Sequence, residues 1–262
     1  MRNPVFGKFI VFSSSLLFFI LHLPFVFATN KPIPEVKPVL LKMEYSMPTG
    51  LIATKSKPTK PESIVYNLYD SLNLNLIGLS KNVYDMAITG FNYLLETGKI
   101  SNSRFISIVD FSQPSCKKRL FVIDLINAKV VFNTYVAHGV NSGKETANVF
   151  SNRPGSNQSS LGFYETSNTY IGGNGYSLRL EGLEPGINDN ANRRAIVMHG
   201  ADYVNENLIH SQGYMGRSFG CPSVPEKMSK PIIDKIKNGS CLFIYSPDKN
   251  YLRRSRIMHT AG

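Results

Sequence analysis

The chain has 262 residues, enough for one catalytic domain with appended segments. Its formal net charge of +11 favours anionic partners, but no nucleic-acid recognition motif accompanies the charge, which argues against a nucleic-acid partner. The odd number of cysteines, three, leaves at least one thiol free in an exported protein.

Residues 1–28 have the pattern of a secretory signal peptide. A short basic leader precedes the apolar run Phe9–Phe27, and Val-Phe-Ala closes it at Ala28. We favour cleavage after Ala28 over an uncleaved anchor, because Pro24 and the Val-x-Ala site fit a processing region. Cleavage removes two of 29 basic and none of 18 acidic residues, leaving a net charge of +9. We therefore expect a protein exported to the periplasm or cell envelope, with an anionic envelope surface as a further partner.

A linker and a helical extension are predicted to follow. Residues 29–60 are rich in proline and lysine, which is typical of an extended tether. Residues 61–100 predict two helices, Glu62–Leu72 and one that begins after Ser80 and stops at Gly98. Neither helix carries obvious chemistry, so we expect them to cover one side of the domain.

Residues 101–248 change to a strand pattern and form the predicted catalytic domain. One helix, Pro225–Lys237, is expected within it, and Pro231 is able to split off its first turn. The tail, residues 249–262, is basic and is expected to fray. The fold class is therefore α+β, mainly β, with peripheral helices around these predicted strands: Phe105–Asp110, Arg119–Leu125, Val130–Ala137, Leu161–Thr166, Ser177–Leu180 and Cys241–Tyr245.

The candidate chemistry lies between Arg193 and Val224. A short apolar run breaks at His199-Gly200, and 22 residues beyond His199 the tight turn Ser-Phe-Gly-Cys ends in Cys221. A histidine at a strand end and a cysteine in a turn are the two parts of a thiol nucleophile and its base. The turn, through Gly220 and Ser218, would direct backbone N–H groups at the oxyanion of a tetrahedral intermediate.

His-Gly followed by Ser-x-Gly-Cys resembles the signature of the murein L,D-transpeptidase catalytic domain (YkuD-like) family, in the branch with Gly-Arg-Ser-x-Gly-Cys-Pro. The resemblance implies a YkuD-like β-sandwich acting on peptidoglycan stem peptides. Cys221 would attack the carbonyl of the L-centre of the third stem residue, and His199 would protonate the leaving D-Ala. Transfer of the thioester to a neighbouring amine would give a 3→3 cross-link.

Three other functions are alternatives to this one. Transfer of the acyl group to water would make the same site an L,D-carboxypeptidase. A non-catalytic wall-binding domain would need neither His199 nor Cys221. A papain-like endopeptidase places its cysteine before its histidine, whereas His199 precedes Cys221 here.

The resemblance also bears on residues around the turn. Ser218 matches the serine of the family and is expected to fix the turn or the imidazole ring. Many members carry an arginine shortly after the cysteine, where this chain has Pro-Ser-Val, so Arg217 is the candidate for a substrate carboxylate. His138, in a second His-Gly, is a candidate cleft residue.

No metal or other cofactor is expected. His199, His210 and Cys221 lack the local pair spacing of zinc sites. The glycine-rich stretch 172–175 has no strand–helix context for a dinucleotide and predicts a turn or a flap over the cleft. Two alternatives remain open for Cys241: a disulfide with Cys116, or a buried position in its strand.

Overall fold

The structure is a computed structural model that describes residues 68–260. The predicted signal peptide (1–28), the linker (29–60) and most of the helix Glu62–Leu72 lie outside these residues. Within 68–260, no helix combines the length and apolar character needed to cross a membrane.

The described residues form one mixed sheet with helices on its surfaces. The helices are α1 Leu68–Ser71, α2 Lys81–Glu96, α3 Glu206–Gln212, α4 Glu226–Ile236, α5 Lys249–Arg254 and α6 Arg256–Thr260. The strands are β1 Phe105–Asp110, β2 Leu120–Asp124, β3 Lys129–Thr134, β4 Gly162–Gly172, β5 Gly175–Gly182, β6 Val197–Ala201, β7 Ser223–Pro225 and β8 Cys241–Tyr245.

The sheet has the strand order β3-β2-β1-β8-β4-β5-β6-β7. The pairs β1–β8 and β6–β7 are parallel, and the other neighbours are antiparallel. Every residue of β1, β2 and β8 is buried, as expected for strands covered on both faces. The prediction of a mainly β, α+β fold with peripheral helices is confirmed.

Helix α2 covers one side of the sheet, where it contacts β1 and β8. It begins as predicted, because the Ser80 side chain accepts a hydrogen bond from the backbone N–H of Val83. Its inward face is apolar and buried, including Val83, Ala87, Ile88, Phe91 and Leu94.

Helix α4 packs against β6, the strand that carries His199. It is one continuous helix, with Pro231 inside it, so the expected split does not occur. Gly200 makes the close approach possible, because a Cβ at this position would lie 2.7 Å from Oγ of Ser229. Its apolar face, formed by Ile232, Ile233 and Ile236, is buried.

Two local predictions were wrong. His199 lies in the middle of β6 rather than at a strand end, because Gly200 and Ala201 continue the pairing with β7. The described part of the C-terminal tail, residues 249–260, forms helices α5 and α6 rather than a frayed segment, since Asp248 caps α5 through the N–H of Tyr251 and the Tyr251 side chain is buried.

The turn predicted from the glycine-rich stretch is present. Gly172 pairs with Gly175 at the tip of the β4–β5 hairpin, whose strands extend well beyond the predicted Leu161–Thr166 and Ser177–Leu180. Of the two possibilities left open for Cys241, the structure has the buried strand residue. Cys116, Cys221 and Cys241 are all free thiols.

Candidate active site

Strands β5, β6 and β7 bring a row of polar side chains together on one face of the sheet. Ser177 of β5 lies directly opposite His199 of β6, and His199 lies directly opposite Ser223 of β7. Directly opposed residues project from the same face. Cys221 precedes Ser223 by two residues, so the β6–β7 pairing brings the cysteine turn beside the histidine strand.

The hydrogen bonds of His199 define its tautomer. Its Nδ1 lies 2.9 Å from the carbonyl oxygen of Gly200, which only accepts, so Nδ1 carries the proton. Its Nε2 lies 2.9 Å from Oγ of Ser223 and is therefore the basic nitrogen that accepts from the hydroxyl. Tyr203 completes this chain of hydrogen bonds, with its hydroxyl 3.0 Å from Oγ of Ser223. Nε2 is thus the atom available to take a proton.

Burial controls the charge of the imidazole. The His199 side chain is 5% exposed, and this burial lowers its pKa below 6.5, although the Gly200 carbonyl opposes the shift. The ring is therefore neutral at pH 7 and able to act as a base.

Ser218 holds the cysteine turn closed. Its hydroxyl donates to the carbonyl oxygen of Cys221 at 2.7 Å and accepts from the N–H of Gly220 at 3.0 Å. Gly220 has a φ of +124° and a Cβ there would lie 2.8 Å from the Gln158 carbonyl oxygen, so only glycine fits. The expected turn-fixing contact of Ser218 is present.

The same contact changes the expected oxyanion donors. The N–H of Gly220 is occupied by the Ser218 hydroxyl, so the prediction that it is directed at an oxyanion does not fit this turn. The N–H of Cys221 has no acceptor among the described residues. The turn therefore leaves two backbone donors for an oxyanion, the N–H groups of Phe219 and Cys221.

The thiol of Cys221 is nearly buried and contacts the strand beside it. Its side chain is 9% exposed, and its Sγ lies 3.5 Å from the N–H of Val197 and 3.7 Å from the carbonyl oxygen of Ala195. The described residues include no hydrogen bond between this sulfur and the His199 ring. Burial raises the thiol pKa above 9.0, against smaller opposing effects of the Val197 N–H and the Arg194 guanidinium. The thiol and imidazole are both neutral at pH 7.

Arg194 is a residue that the sequence reasoning missed. Its half-buried guanidinium lies near enough to Cys221 for each charge to affect the pKa of the other group. It ties the segment before β4 to the segment before β6 through hydrogen bonds to the carbonyl oxygens of Ser151 and Gln158 and the hydroxyls of Ser156 and Ser160. In the sequence it is only one of two consecutive arginines, and nothing in that pattern indicates four loop acceptors.

His138 lies inside the domain rather than in a cleft. Its side chain is fully buried, with Nδ1 2.8 Å from Nη2 of Arg119 and Nε2 3.2 Å from the carbonyl oxygen of Gly143. Burial, reinforced by the Arg119 charge, lowers its pKa to about 4. This burial contradicts the cleft position expected for the ring. The contact of His138 with the cysteine turn is made by its backbone carbonyl, which accepts from the N–H of Ser218.

Neither Arg217 nor His210 makes a hydrogen bond with the thiol of Cys221 among the described residues. Arg217 donates to the Gly143 carbonyl at 3.2 Å and lies over the Tyr214 ring, so its role in substrate binding stays a prediction. His210 is exposed on α3. Across residues 68–260, no three His, Cys, Asp or Glu side chains are grouped so as to hold a metal ion.

The raised thiol pKa predicts a pH dependence for alkylation. In a Cys116→Ser variant, the only partly accessible thiol is Cys221, since Cys241 is fully buried. Because only the thiolate reacts, alkylation by iodoacetamide should be slow at pH 7 and rise about tenfold per pH unit to beyond pH 9. Intact mass followed over time from about pH 6 to about pH 10 measures this. A rate already independent of pH near neutrality would indicate a thiolate–imidazolium pair instead.

Comparison with known protein families identifies the family of this chain. Residues 76–245 match the L,D-transpeptidase catalytic domain family (YkuD_2), and the chain belongs to that family. The matched range includes both His199 and Cys221. No curated protein matches the chain.

Solved structures of L,D-transpeptidases align with part of this chain at low sequence identity. One from Mycobacterium smegmatis is 12% identical with a TM-score of 0.34, over 55% of this chain and 59% of that one. L,D-transpeptidase 1 of Mycobacterium tuberculosis is 11% identical with a TM-score of 0.31, over 55% and 62%. One from Stackebrandtia nassauensis is 14% identical with a TM-score of 0.33, over 71% and 77%. The chain thus spans about 60% of the length of the first two.

Proposed function

We propose that this protein is an exported L,D-transpeptidase that acts on peptidoglycan stem peptides through a thioester on Cys221. The observation that supports it is the β6–β7 pairing, which sets the basic nitrogen of His199 beside the Cys221 turn in a chain of this family. The chain also has a nearly buried thiol and an unoccupied backbone N–H in one short turn, and a neutral base on the neighbouring strand β6.

The first half-reaction forms the acyl-enzyme and releases D-Ala. The Ser223 hydroxyl turns from Nε2 of His199 toward Tyr203, and Nε2 then takes the thiol proton of Cys221. The sulfur attacks the carbonyl carbon of the third stem residue, and the Cys221 N–H stabilises the oxyanion. The C–N bond to D-Ala breaks as His199 returns the proton to the leaving amine, which leaves a thioester.

The second half-reaction transfers the acyl group. The side-chain amine of a third stem residue on a neighbouring peptide attacks the thioester carbon and loses its proton to His199. The C–S bond breaks, the thiol regains its proton, and a 3→3 amide links the two stems. One amide bond replaces another and no water is consumed, so the net product is a dimer plus one D-Ala.

Export and an envelope location are part of the proposal. They are supported by the basic leader, the apolar run to Phe27 and the Val-x-Ala site at Ala28. The positive charge of the remaining chain supports an anionic envelope surface as a further partner.

The product spectrum tests this function. Full-length chain carrying Cys116→Ser is expressed, purified from the envelope fraction, and incubated with tetrapeptide muropeptides, with an iodoacetamide-treated sample as the control. Mass spectrometry should find a dimer lighter by one D-Ala in the untreated sample only. Formation of tripeptide without dimer would indicate that the protein is an L,D-carboxypeptidase and not a transpeptidase. Unchanged substrate in both samples would contradict catalysis on stem peptides and favour a wall-binding domain.

A further inference from the structure

Arg179 lies on the same face of the sheet as the candidate catalytic residues. It is directly opposite Val197 in the β5–β6 pair, two positions from the opposed pair Ser177 and His199. Residues two apart in a strand share a face, so Arg179, Val197 and His199 project to the same side. The N–H of Val197 is the group that contacts the Cys221 thiol. Arg179 therefore lies two strand spacings, about 10 Å, from the cysteine turn.

The guanidinium of Arg179 is held in place but has no polar partner. Its Cζ lies 4.4 Å from the centre of the Tyr170 ring, which fixes it by a cation–π contact. Among residues 68–260 it makes no hydrogen bond and no ion pair. The carboxylates nearest in the hairpin register, Glu165 and Glu181, are opposite each other, and Glu181 accepts from Asn192 at 2.6 Å. The five N–H donors of Arg179 are thus unsatisfied by the described protein.

The other arginines around the turn are committed to the protein itself. Arg119 and Arg194 donate to backbone carbonyl oxygens and side chains, and Arg217 donates to the Gly143 carbonyl. The position two residues after Cys221 is Ser223, which binds His199. Of Arg119, Arg179, Arg194 and Arg217, Arg179 is the one whose guanidinium makes no hydrogen bond within residues 68–260.

A depression beside the thiol gives Arg179 access to a ligand. It is small, with a cavity volume of about 50 Å³, and is lined by Tyr170, Arg179, Asn192 and the segment Ala195–Val197. The backbone of that segment is also the surface against which the Cys221 sulfur rests. A peptide with its scissile carbonyl at the sulfur would therefore place neighbouring groups in this depression.

We propose that Arg179 binds a carboxylate of the donor stem peptide, held flat by Tyr170, and so selects the substrate. The proposal rests on the function proposed above. A planar guanidinium with two parallel N–H donors matches a carboxylate bidentately. The stem offers this group in three places: the α-carboxylate of the second residue, the side chain of the third, and the C-terminus.

The test compares protein variants on peptides that each lack one carboxylate. The parent peptide is L-Ala-γ-D-Glu-meso-diaminopimelate-D-Ala, and its analogues carry D-isoglutamine at the second position, L-lysine at the third, or D-alaninamide at the fourth. Release of D-Ala or D-alaninamide is measured with the unmodified protein, Arg179→Gln, Arg179→Lys and the matched control Arg256→Gln, whose side chain is exposed on α6.

The expected result is a loss of kcat/KM that depends on a single carboxylate of the peptide. Arg179→Gln should lower kcat/KM for the parent peptide by roughly 10- to 100-fold, and Arg179→Lys by less. For the analogue lacking the bound carboxylate, unmodified protein and Arg179→Gln should be equal, which identifies the carboxylate. Arg256→Gln should behave as the unmodified protein. Equal losses on all four peptides, or no loss on the parent peptide, would overturn the proposal.

A binding measurement separates this proposal from the proposed function. In a Cys221→Ala background, which cannot form the thioester, the affinity for the same peptides is measured by calorimetry with and without Arg179→Gln. Carboxylate-specific weakening supports the Arg179 site even if no peptide is turned over, an outcome that would contradict only the catalytic function. Turnover of the peptides by the unmodified protein, together with an affinity that Arg179→Gln does not change, would overturn only the Arg179 site.

Discussion

Replacing Cys221 or His199 by alanine is expected to remove nearly all D-Ala release from a stem tetrapeptide. Without the sulfur no thioester forms, so the Cys221→Ala rate should fall to the background of the assay. Without Nε2 of His199, the thiol keeps its proton, because burial holds its pKa above 9.0. The His199→Ala rate should therefore fall by roughly 10²- to 10⁴-fold, as for loss of a general base. Initial rates of D-Ala release measure both.

The matched controls are a cysteine and a histidine that are open to solvent. Cys116→Ala and His210→Ala should keep the full rate, because Cys116 is only partly buried and His210 is exposed on α3. Urea unfolding establishes that the site variants remain folded. A His199→Ala protein that is folded and retains more than about a tenth of the rate would contradict the role of His199 as the base.

The second large effect is expected at Arg119, on the stability of the fold. Its side chain is fully buried and donates to the carbonyl oxygens of Val136 and Gln113 and to Nδ1 of His138. Its guanidinium also packs 4.7 Å from the Phe111 ring. Arg119→Met fills a similar volume but leaves these acceptors unpaired, so it should lower the free energy of unfolding by roughly 3–5 kcal/mol.

Urea unfolding curves measure this change. Lys117→Met is the matched control, since Lys117 is exposed two positions away and should change stability by less than about 0.5 kcal/mol. Burial lowers the pKa of Arg119 to about 9, which leaves the guanidinium protonated at pH 7. A loss below about 1 kcal/mol for Arg119→Met would show that His138 and the carbonyl oxygens find other partners.

Much of the fold was predictable because its signals are local. The apolar runs of β1 and β8 were predicted at the bounds they have, and the Ser80 cap and the glycine turn at 172–175 follow from neighbouring residues. The centre of β6 was not predictable in this way. His199 is followed by a glycine that ends an apolar run, and only the pairing with β7 extends the strand through Ala201.

The site residues divide in the same way, into those indicated by a local motif and those that depend on contacts between distant segments. The motif indicated His199 and Cys221 as the base and the nucleophile. It did not indicate the hydrogen bonds from Nε2 of His199 to Ser223 and from Ser223 to Tyr203, because these depend on a pairing between distant segments. The occupied N–H of Gly220 depends on the rotamer of a serine two residues away. Arg119 is a charged residue at the start of a strand pattern, and the sequence gives no sign that carbonyl oxygens and His138 surround it.

The most direct test of the central claim is the intact mass of the protein during reaction with a stem tetrapeptide. Rapid acid quenching should trap a covalent adduct whose added mass is that of the peptide minus D-Ala. The adduct should map to the peptide containing Cys221, disappear with hydroxylamine as a thioester does, and be absent from Cys221→Ala. Turnover of the peptide without any adduct, or an adduct that persists in Cys221→Ala, would contradict a thioester on Cys221.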